Sequence, residues 1–339
     1  MTEKPADLSG GGAAGRTLGV LLALVAGLAA AAQSRVNGTL AEQTQNAFAV
    51  ALLSFAVGLV LLTLALLLSR AGRAACVRLS RRPRAGRVRW WECLGGLGGA
   101  FFVTSQGLTV ATLGVATFTV ALVAGQSVSS LVIDRAGLAP GGVRLVTVGR
   151  ALGPVLTVVA VAVVSGSAAT TAALALAVLP LLAGVLQSFQ QALNGRVRAA
   201  VRPSPDGWER DSGHDGGVLA ATFVSFLVGT AALLVVFLVS LAVTGPAGGT
   251  WPAVASADLL LYSGGLLGVT FIALQAAVVQ RIGVLLLGLG MIAGQVVGAL
   301  VLDIVVPGAT APGAATYTGA ALTLVAVAVP LAEGALRRR

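Results

Sequence analysis

Gly95-Gly96-Leu97-Gly98-Gly99-Ala100-Phe101-Phe102-Val103-Thr104-Ser105-Gln106 is met again as Gly264-Gly265-Leu266-Leu267-Gly268-Val269-Thr270-Phe271-Ile272-Ala273-Leu274-Gln275. The register then holds: Gly114 recurs as Gly283, Ala124-Gly125-Gln126 as Ala293-Gly294-Gln295, and Asp134 as Asp303, at an unchanged offset of 169 (264 − 95 and 303 − 134). Upstream, Asn37-Gly38 matches Asn194-Gly195, and Ser54-Phe55 with Val57-Gly58 matches Ser225-Phe226 with Val228-Gly229. The chain is therefore written twice. Duplication within a hydrophobic chain points to an architecture whose site lies where the two copies meet.

Composition decides the solvent. The 339 residues are 57% apolar and 10% charged, with a mean hydropathy of +0.95. A water-soluble core has no need of so much apolar sequence. Charge-poor runs of about 20 residues match a bilayer of about 30 Å at about 1.5 Å per residue. Ten such runs are predicted, at 17–36, 46–68, 90–111, 115–133, 144–165, 172–193, 217–243, 257–279, 282–303 and 314–335. Lipid offers the backbone no partners, so each is expected to be a helix. The fold class predicted is all-α and polytopic: a tail over 1–15, a five-helix repeat over 16–167 and a second over 168–339. Cys76, Cys93 and the single His214 supply neither a disulfide framework nor a metal cluster. No cofactor is expected.

The net charge of +10 and pI of 11.4 would suit nucleic acid, but the distribution argues against it. With ten spans and a cytoplasmic N-terminus, Arg35 is the one basic residue left outside among the 22. The positive-inside rule thus predicts cytoplasmic N- and C-termini in a plasma (inner) membrane. The Arg70–Arg89 stretch is expected as a loop that serves as a topology signal, with an anionic-lipid or RNA patch as the other reading. The charges also alternate between copies. Arg35 alone follows the first span, whereas Arg196, Arg198, Arg202 and Arg210 follow the sixth. Eight arginines follow the second span and none follows the seventh. Five spans per copy invert the second copy, and the charges agree.

Catalytic constellations are missing. The sequence shows no carboxylate pair within a span and no nucleophile beside a base. Gly-rich Ser9–Gly15 lacks the Lys-Ser/Thr of a phosphate loop. Glu92, Asp134, Asp258, Asp303 and Glu333 all fall at span ends, so no mid-bilayer carboxylate suggests a proton relay. What remains inside is amide chemistry. Gln126 stands eight residues before Asp134, about 12 Å along the helix, and Gln295 is placed alike in the inverted copy. Both are expected near the membrane middle, as contacts for a polar solute or as interhelical hydrogen bonds. Gln33 and Asn37 near one side, and Gln190 and Asn194 near the other, outline two vestibules, with Gln106 and Gln275 similarly opposed. Asn-Gly at a helix end also reads as a C-cap, and Asn37 and Asn194 are expected to serve as one. Asp134 and Asp303 oppose the dipole of the helix each one ends. They are read either as hydrated surface residues or as gates, Asp303 pairing with Arg35 and Asp134 with Arg196 or Arg198. The glycines at spacings of four, Gly95/Gly99, Gly264/Gly268 and Gly290/Gly294/Gly298, are expected to let helices pack closely.

Taken together, Gln33-x-x-x-Asn37, Ser54-Phe55, Gly95-Gly96-x-x-Gly99, Ala124-Gly125-Gln126 with Asp134, and their second-copy counterparts, resemble the YdcZ-like family of the drug/metabolite transporter superfamily. The resemblance spans both halves. It implies a ten-helix inverted-repeat fold and an inner-membrane exporter of small molecules, not an enzyme. Its partners would be an unidentified solute, the lipid bilayer and a second copy in a homodimer, but no nucleic acid. An importer or facilitator, and a non-transporting lipid-interacting scaffold, are the alternatives. The N-terminal tail, the Arg-rich stretch and the polar insertion Arg202–Gly217 depart from the family pattern.

Lys4, Arg16, the apolar Thr17–Gly27 and the small residues Ala29–Ala32 also look like a secretory signal. Their counterpart in the second copy lies mid-chain and cannot be one. N-terminal sequencing of the purified protein is therefore expected to begin at Met1 or Thr2; a start near Gln33 would remove the first span.

Overall fold

The computed structural model describes residues 13–81, 88–138, 148–166, 171–201, 216–246, 248–252, 257–306 and 312–336. These residues form nine α-helices: α1 (Ala13–Thr44), α2 (Ala47–Leu68), α3 (Arg70–Arg81), α4 (Gly96–Arg135), α5 (Val148–Gly166), α6 (Thr171–Ala200), α7 (Gly217–Thr244), α8 (Gly264–Val305) and α9 (Ala314–Leu336). Short 3-10 turns, Trp90–Gly95 and Ala257–Tyr262, lead into α4 and α8. No strand occurs among the described residues. Six helical stretches are long and apolar enough to cross a membrane. Their outer faces expose leucine and valine, such as Leu67 and Val235, the arrangement a lipid environment stabilises. Exposed Trp90 and Trp251 precede α4 and α8, at the level where indole rings meet headgroups.

Two helices are too long for one crossing. α4 has 40 residues, about 60 Å if straight, twice the hydrocarbon thickness of about 30 Å. It breaks at Gly114, whose φ of 76° and ψ of 160° lie where only glycine is comfortable. The third and fourth predicted spans are the two limbs of this element, with no separate loop between them. The 42-residue α8 likewise joins the eighth and ninth.

Local sequence explains the other joints. Asn46 caps α2 by accepting the Ala49 N–H at 2.9 Å, just after Gln45 turns at φ 52°. Ser69 Oγ accepts the Gly72 N–H at 3.0 Å and starts α3. The Arg-rich stretch expected as a loop is thus helical over Arg70–Arg81, with Gly72, Ala75 and Leu79 buried. Two further expectations are corrected. α1 already begins at Ala13, inside the predicted tail. Asn37-Gly38 and Asn194-Gly195 lie within α1 and α6, so neither asparagine is a C-cap. Neighbouring segments lie close at both places, Val110 against Gly38 and the Asn194 side chain against Gly95. Residues 1–12, 82–87, 167–170, 202–215 and 337–339, which include most of the predicted tail, the repeat boundary and most of the polar insertion, lie outside the described residues.

Packing contacts come in matched pairs. At Gly125 a Cβ would overlap the Leu181 carbonyl oxygen; at its counterpart Gly294 it would overlap that of Leu24. Gly184 abuts Leu122 and the Gln126 N–H, as Gly27 abuts Met291 and the Gln295 N–H. Gly96 rests on the Ser225 carbonyl and Gly265 on that of Ser54. Between α2 and α7, Gly58 faces Phe226 and Gly229 faces Phe55, with those two rings 4.8 Å apart at 31°. α1 therefore lies along α8 and α6 along α4 at backbone contact distance, where dispersion between helices is greatest.

Gly125→Ala and Gly294→Ala are each expected to destabilise the protein by about 1–3 kcal/mol through overpacking. Gly288→Ala, whose Cβ would meet nothing within 4 Å, is the control. Thermal unfolding in detergent is the measurement.

Candidate functional site between the two halves

A cavity of about 260 Å³ is lined by the second limb of α4, by α5, α6 and α9, and by α8. Gln126 and Gln295 both face it, with Gln191, Gln275, Ser127 and Ser130 among the other polar groups. Every described residue that lines it is uncharged, so these walls present amide and hydroxyl dipoles between apolar surfaces. A smaller cavity of about 40 Å³ is framed by Phe55, Phe102, Phe226 and Phe271 and reached by Gln33, Gln190 and Asn194. Gln191 and Gln275 border both cavities.

The glutamines are held through their neighbours. Gly125 and Gly294 press the backbone of α4 onto α6 and of α8 onto α1, which fixes where Gln126 and Gln295 project. Their partners then differ. The Gln126 Nε2 donates to Gln187 Oε1, and the Ser188 hydroxyl donates to the Gln126 carbonyl at 3.2 Å. Gln295 is 3% exposed, and its Oε1 has no hydrogen-bond partner. The physical reason is local: the position matching Gln187 in the first copy is Ala30, which carries no polar group. A buried amide oxygen without a partner costs about 1–3 kcal/mol.

The remaining predicted residues divide between the cavities and the packed interior. Gln33 and Gln190 lie against Gly268 and Gly99, and Gln190 donates to Ser225 Oγ at 3.0 Å. Asn37 and Gln106 line neither cavity. The Asn37 Nδ2 donates to Gln106 Oε1 at 2.7 Å, and the Gln106 Nε2 donates to Ser34 Oγ at 2.8 Å. All three are buried, Gln106 completely. Gln275, the counterpart of Gln106, instead places its Nε2 3.6 Å from the Met291 sulfur.

Asp303 and Arg196 have partners that the sequence did not suggest. Asp303 is buried, and its Oδ1 and Oδ2 accept the Val115 and Ala116 N–H groups at 3.0 and 2.7 Å. Its carboxylate therefore caps the second limb of α4, directly after the break at Gly114, across 188 residues of chain. Arg35 interacts with it only through charge, without a direct ion pair. Arg196 pairs with Glu92 at 2.9 Å, and also donates to the carbonyls of Leu138 at 2.7 Å and Gly137 at 3.2 Å. The side chain of Asp134 lies outside the described residues. Sequence reasoning missed Glu92 as the partner of Arg196, and missed Ser127, Ser130, Thr157 and Ser188 in the cavity wall. The four hydroxyls carry no signal because serine and threonine within spans usually bond their own helix, as Ser188 also does to Gly184.

A family described as "Putative inner membrane exporter, YdcZ" matches residues 18–163 and 212–329, well over half of the chain. One solved crystal structure is similar at a TM-score of 0.52 and 19% identity, covering 94% of this chain and 96% of the other, which bears on the fold alone. No curated protein matches.

Replacing Asp303 by Ala leaves two N–H groups at a helix start without their acceptor, at a cost of about 2 kcal/mol or more. Asp303→Asn keeps one acceptor oxygen and should lose roughly half as much. The comparison is made by thermal unfolding.

Proposed function

This chain belongs to the YdcZ family of inner-membrane exporters, and on that premise we propose that it moves a small polar solute by alternating access around the cavity between its two halves. In this reading the bilayer is crossed ten times: by α1, α2, the two limbs of α4, α5, α6, α7, the two parts of α8 and α9. The two sets of five are related by an inverted repeat. The matched glycine contacts support that reading, because residues at corresponding positions in the two copies make corresponding contacts. The distribution of basic residues supports cytoplasmic termini, and export is the direction the family suggests.

One observation carries the proposal: Gln126 and Gln295, from corresponding positions of the two copies, meet on one uncharged cavity of about 260 Å³. A volume of that order admits a small metabolite, and an inverted repeat with its site at the interface is how many gradient-driven transporters are built. The absence of charge from the lining sets the chemistry. Amides and hydroxyls replace the water of a neutral or zwitterionic solute through paired donors and acceptors. A lone anion or cation would lose its hydration there without a counter-charge. Gln295 is the primary contact, since Gln126 already spends part of its amide on Gln187.

A solute that binds the folded protein raises its melting temperature, by the equivalent of about 2.7 kcal/mol at a hundred times Kd. Against a panel of polar metabolites, the protein in detergent is expected to respond to one neutral or zwitterionic class. Gln295→Ala should abolish that response and Gln126→Ala weaken it. Responses retained in both variants place the site elsewhere. Stabilisation by lipids alone favours the scaffold.

A further inference from the structure

The two halves share contacts but not state. In the first copy Ser34, Asn37 and Gln106 form a closed, buried hydrogen-bonded trio joining α1 to the first limb of α4. The corresponding positions in the second copy are Gln191, Asn194 and Gln275, on α6 and α8. No hydrogen bond links these three. Gln191 and Gln275 instead stand on the cavity wall. Helix packing follows the same division: α1 lies along α4, whereas α6 and α8 scarcely touch among the described residues.

The cavity shares this one-sidedness. Ser127 and Ser130 line it, and Ser130 is exposed. Their counterparts, Val296 and Ala299, are 1% and 0% exposed. Starting from Gln126 and Gln295, open space therefore extends toward the end of the bundle that holds the Arg196–Glu92 pair, and the opposite end is packed. Both trios are chemically able to close, since each has a side-chain amide on the α4 or α8 limb and, on α1 or α6, an asparagine with a second polar group one turn away; Gln191, Asn194 and Gln275 border the same small cavity.

We propose that these trios are the two halves of a reciprocating gate: Ser34–Asn37–Gln106 holds one side shut in the state described, and Gln191–Asn194–Gln275 closes the other side when the first opens. The proposal rests on the transport reading and assigns Asn37 and Gln106 to access rather than to solute contact. In the alternate state the Asn194 amide nitrogen donates to Gln275 Oε1, and the Gln275 Nε2 leaves Met291 for Gln191, mirroring the bonds now made by Asn37 and Gln106. Val296 and Ala299 then line the cavity and Ser127 and Ser130 are covered. Two conformations of nearly equal energy are what a repeat with matched contacts provides, and each trio biases the balance by its own hydrogen bonds.

The test uses the full-length protein in proteoliposomes, with Cys76→Ser and Cys93→Ser as background and no added solute. Ser130→Cys and Val296→Cys serve as separate reporters of the two sides, labelled with a small maleimide. Opening the closed trio by Asn37→Ala or Gln106→Ala should raise Val296→Cys labelling by about ten-fold, the effect of losing one buried hydrogen bond on a two-state balance, and lower Ser130→Cys labelling. Disabling the open trio by Asn194→Ala or Gln275→Ala should leave Val296→Cys at its floor and hold Ser130→Cys labelling at or above the parental rate. The milder Ser34→Ala leaves the Asn37–Gln106 bond in place but removes the acceptor for the Gln106 Nε2, and should shift labelling the same way by a smaller factor. Unchanged rates in the first pair overturn the proposal, and so does a rise at both reporters, which marks general loosening. Because labelling needs no solute, opposite shifts without flux of any solute would retain the gate and reject the transport reading.

Discussion

Backbone contact at glycine is the constraint on which the rest of the structure depends. Lipid removes the hydrophobic drive that joins helices in water, so association rests on dispersion and on a few hydrogen bonds. Each atom pair contributes only about 0.1–0.2 kcal/mol at best separation. Gly27, Gly125, Gly184 and Gly294 let α1 meet α8, and α6 meet α4, with carbonyls and amides in contact. The same four residues sit beside or against Gln126 and Gln295. Close packing and the placement of the polar cavity are therefore one feature, and a side chain at any of these glycines would disturb both.

Asp303 shows how two unfavourable terms can cancel. A helix broken at Gly114 exposes amide N–H groups where lipid offers no acceptor. A carboxylate near the end of α8 opposes that helix's own dipole. Bringing the two together satisfies the amides and places negative charge at the positive start of the second limb of α4. The residue read from sequence as a gate or a hydrated surface group is here a cap, held 188 positions from the residue it caps.

Much of this was legible beforehand because a duplicated sequence is compared with itself. The offset of 169 placed Gln126 and Gln295 at corresponding points, and both indeed line one cavity. The glycine spacings announced close packing. Other expectations failed where an assignment needed a third partner. Asn37 looked like a C-cap because Asn-Gly often ends helices, yet Gln106 and Val110 hold it within α1. Arg70–Arg81 looked like a loop because its charge masked an apolar edge of Gly72, Ala75 and Leu79. Glu92, at the start of the third span, pairs with Arg196, a partner the sequence did not suggest. No local pattern identifies a partner about a hundred residues away.

By itself, the sequence determined the solvent, the helical class and the duplication, because composition and periodicity carry those properties along the chain. Only the tertiary structure decided which amides meet. Gln126 has Gln187 while the Gln295 Oε1 has no partner among the described residues, where Ala30 holds the position matching Gln187; Gln106 is sealed with Asn37 and Ser34 while Gln275 borders open space. Side chains of the same type at matched positions receive different partners because hydrogen bonding is short-ranged and directional, and only the folded arrangement of helices brings donor and acceptor within reach.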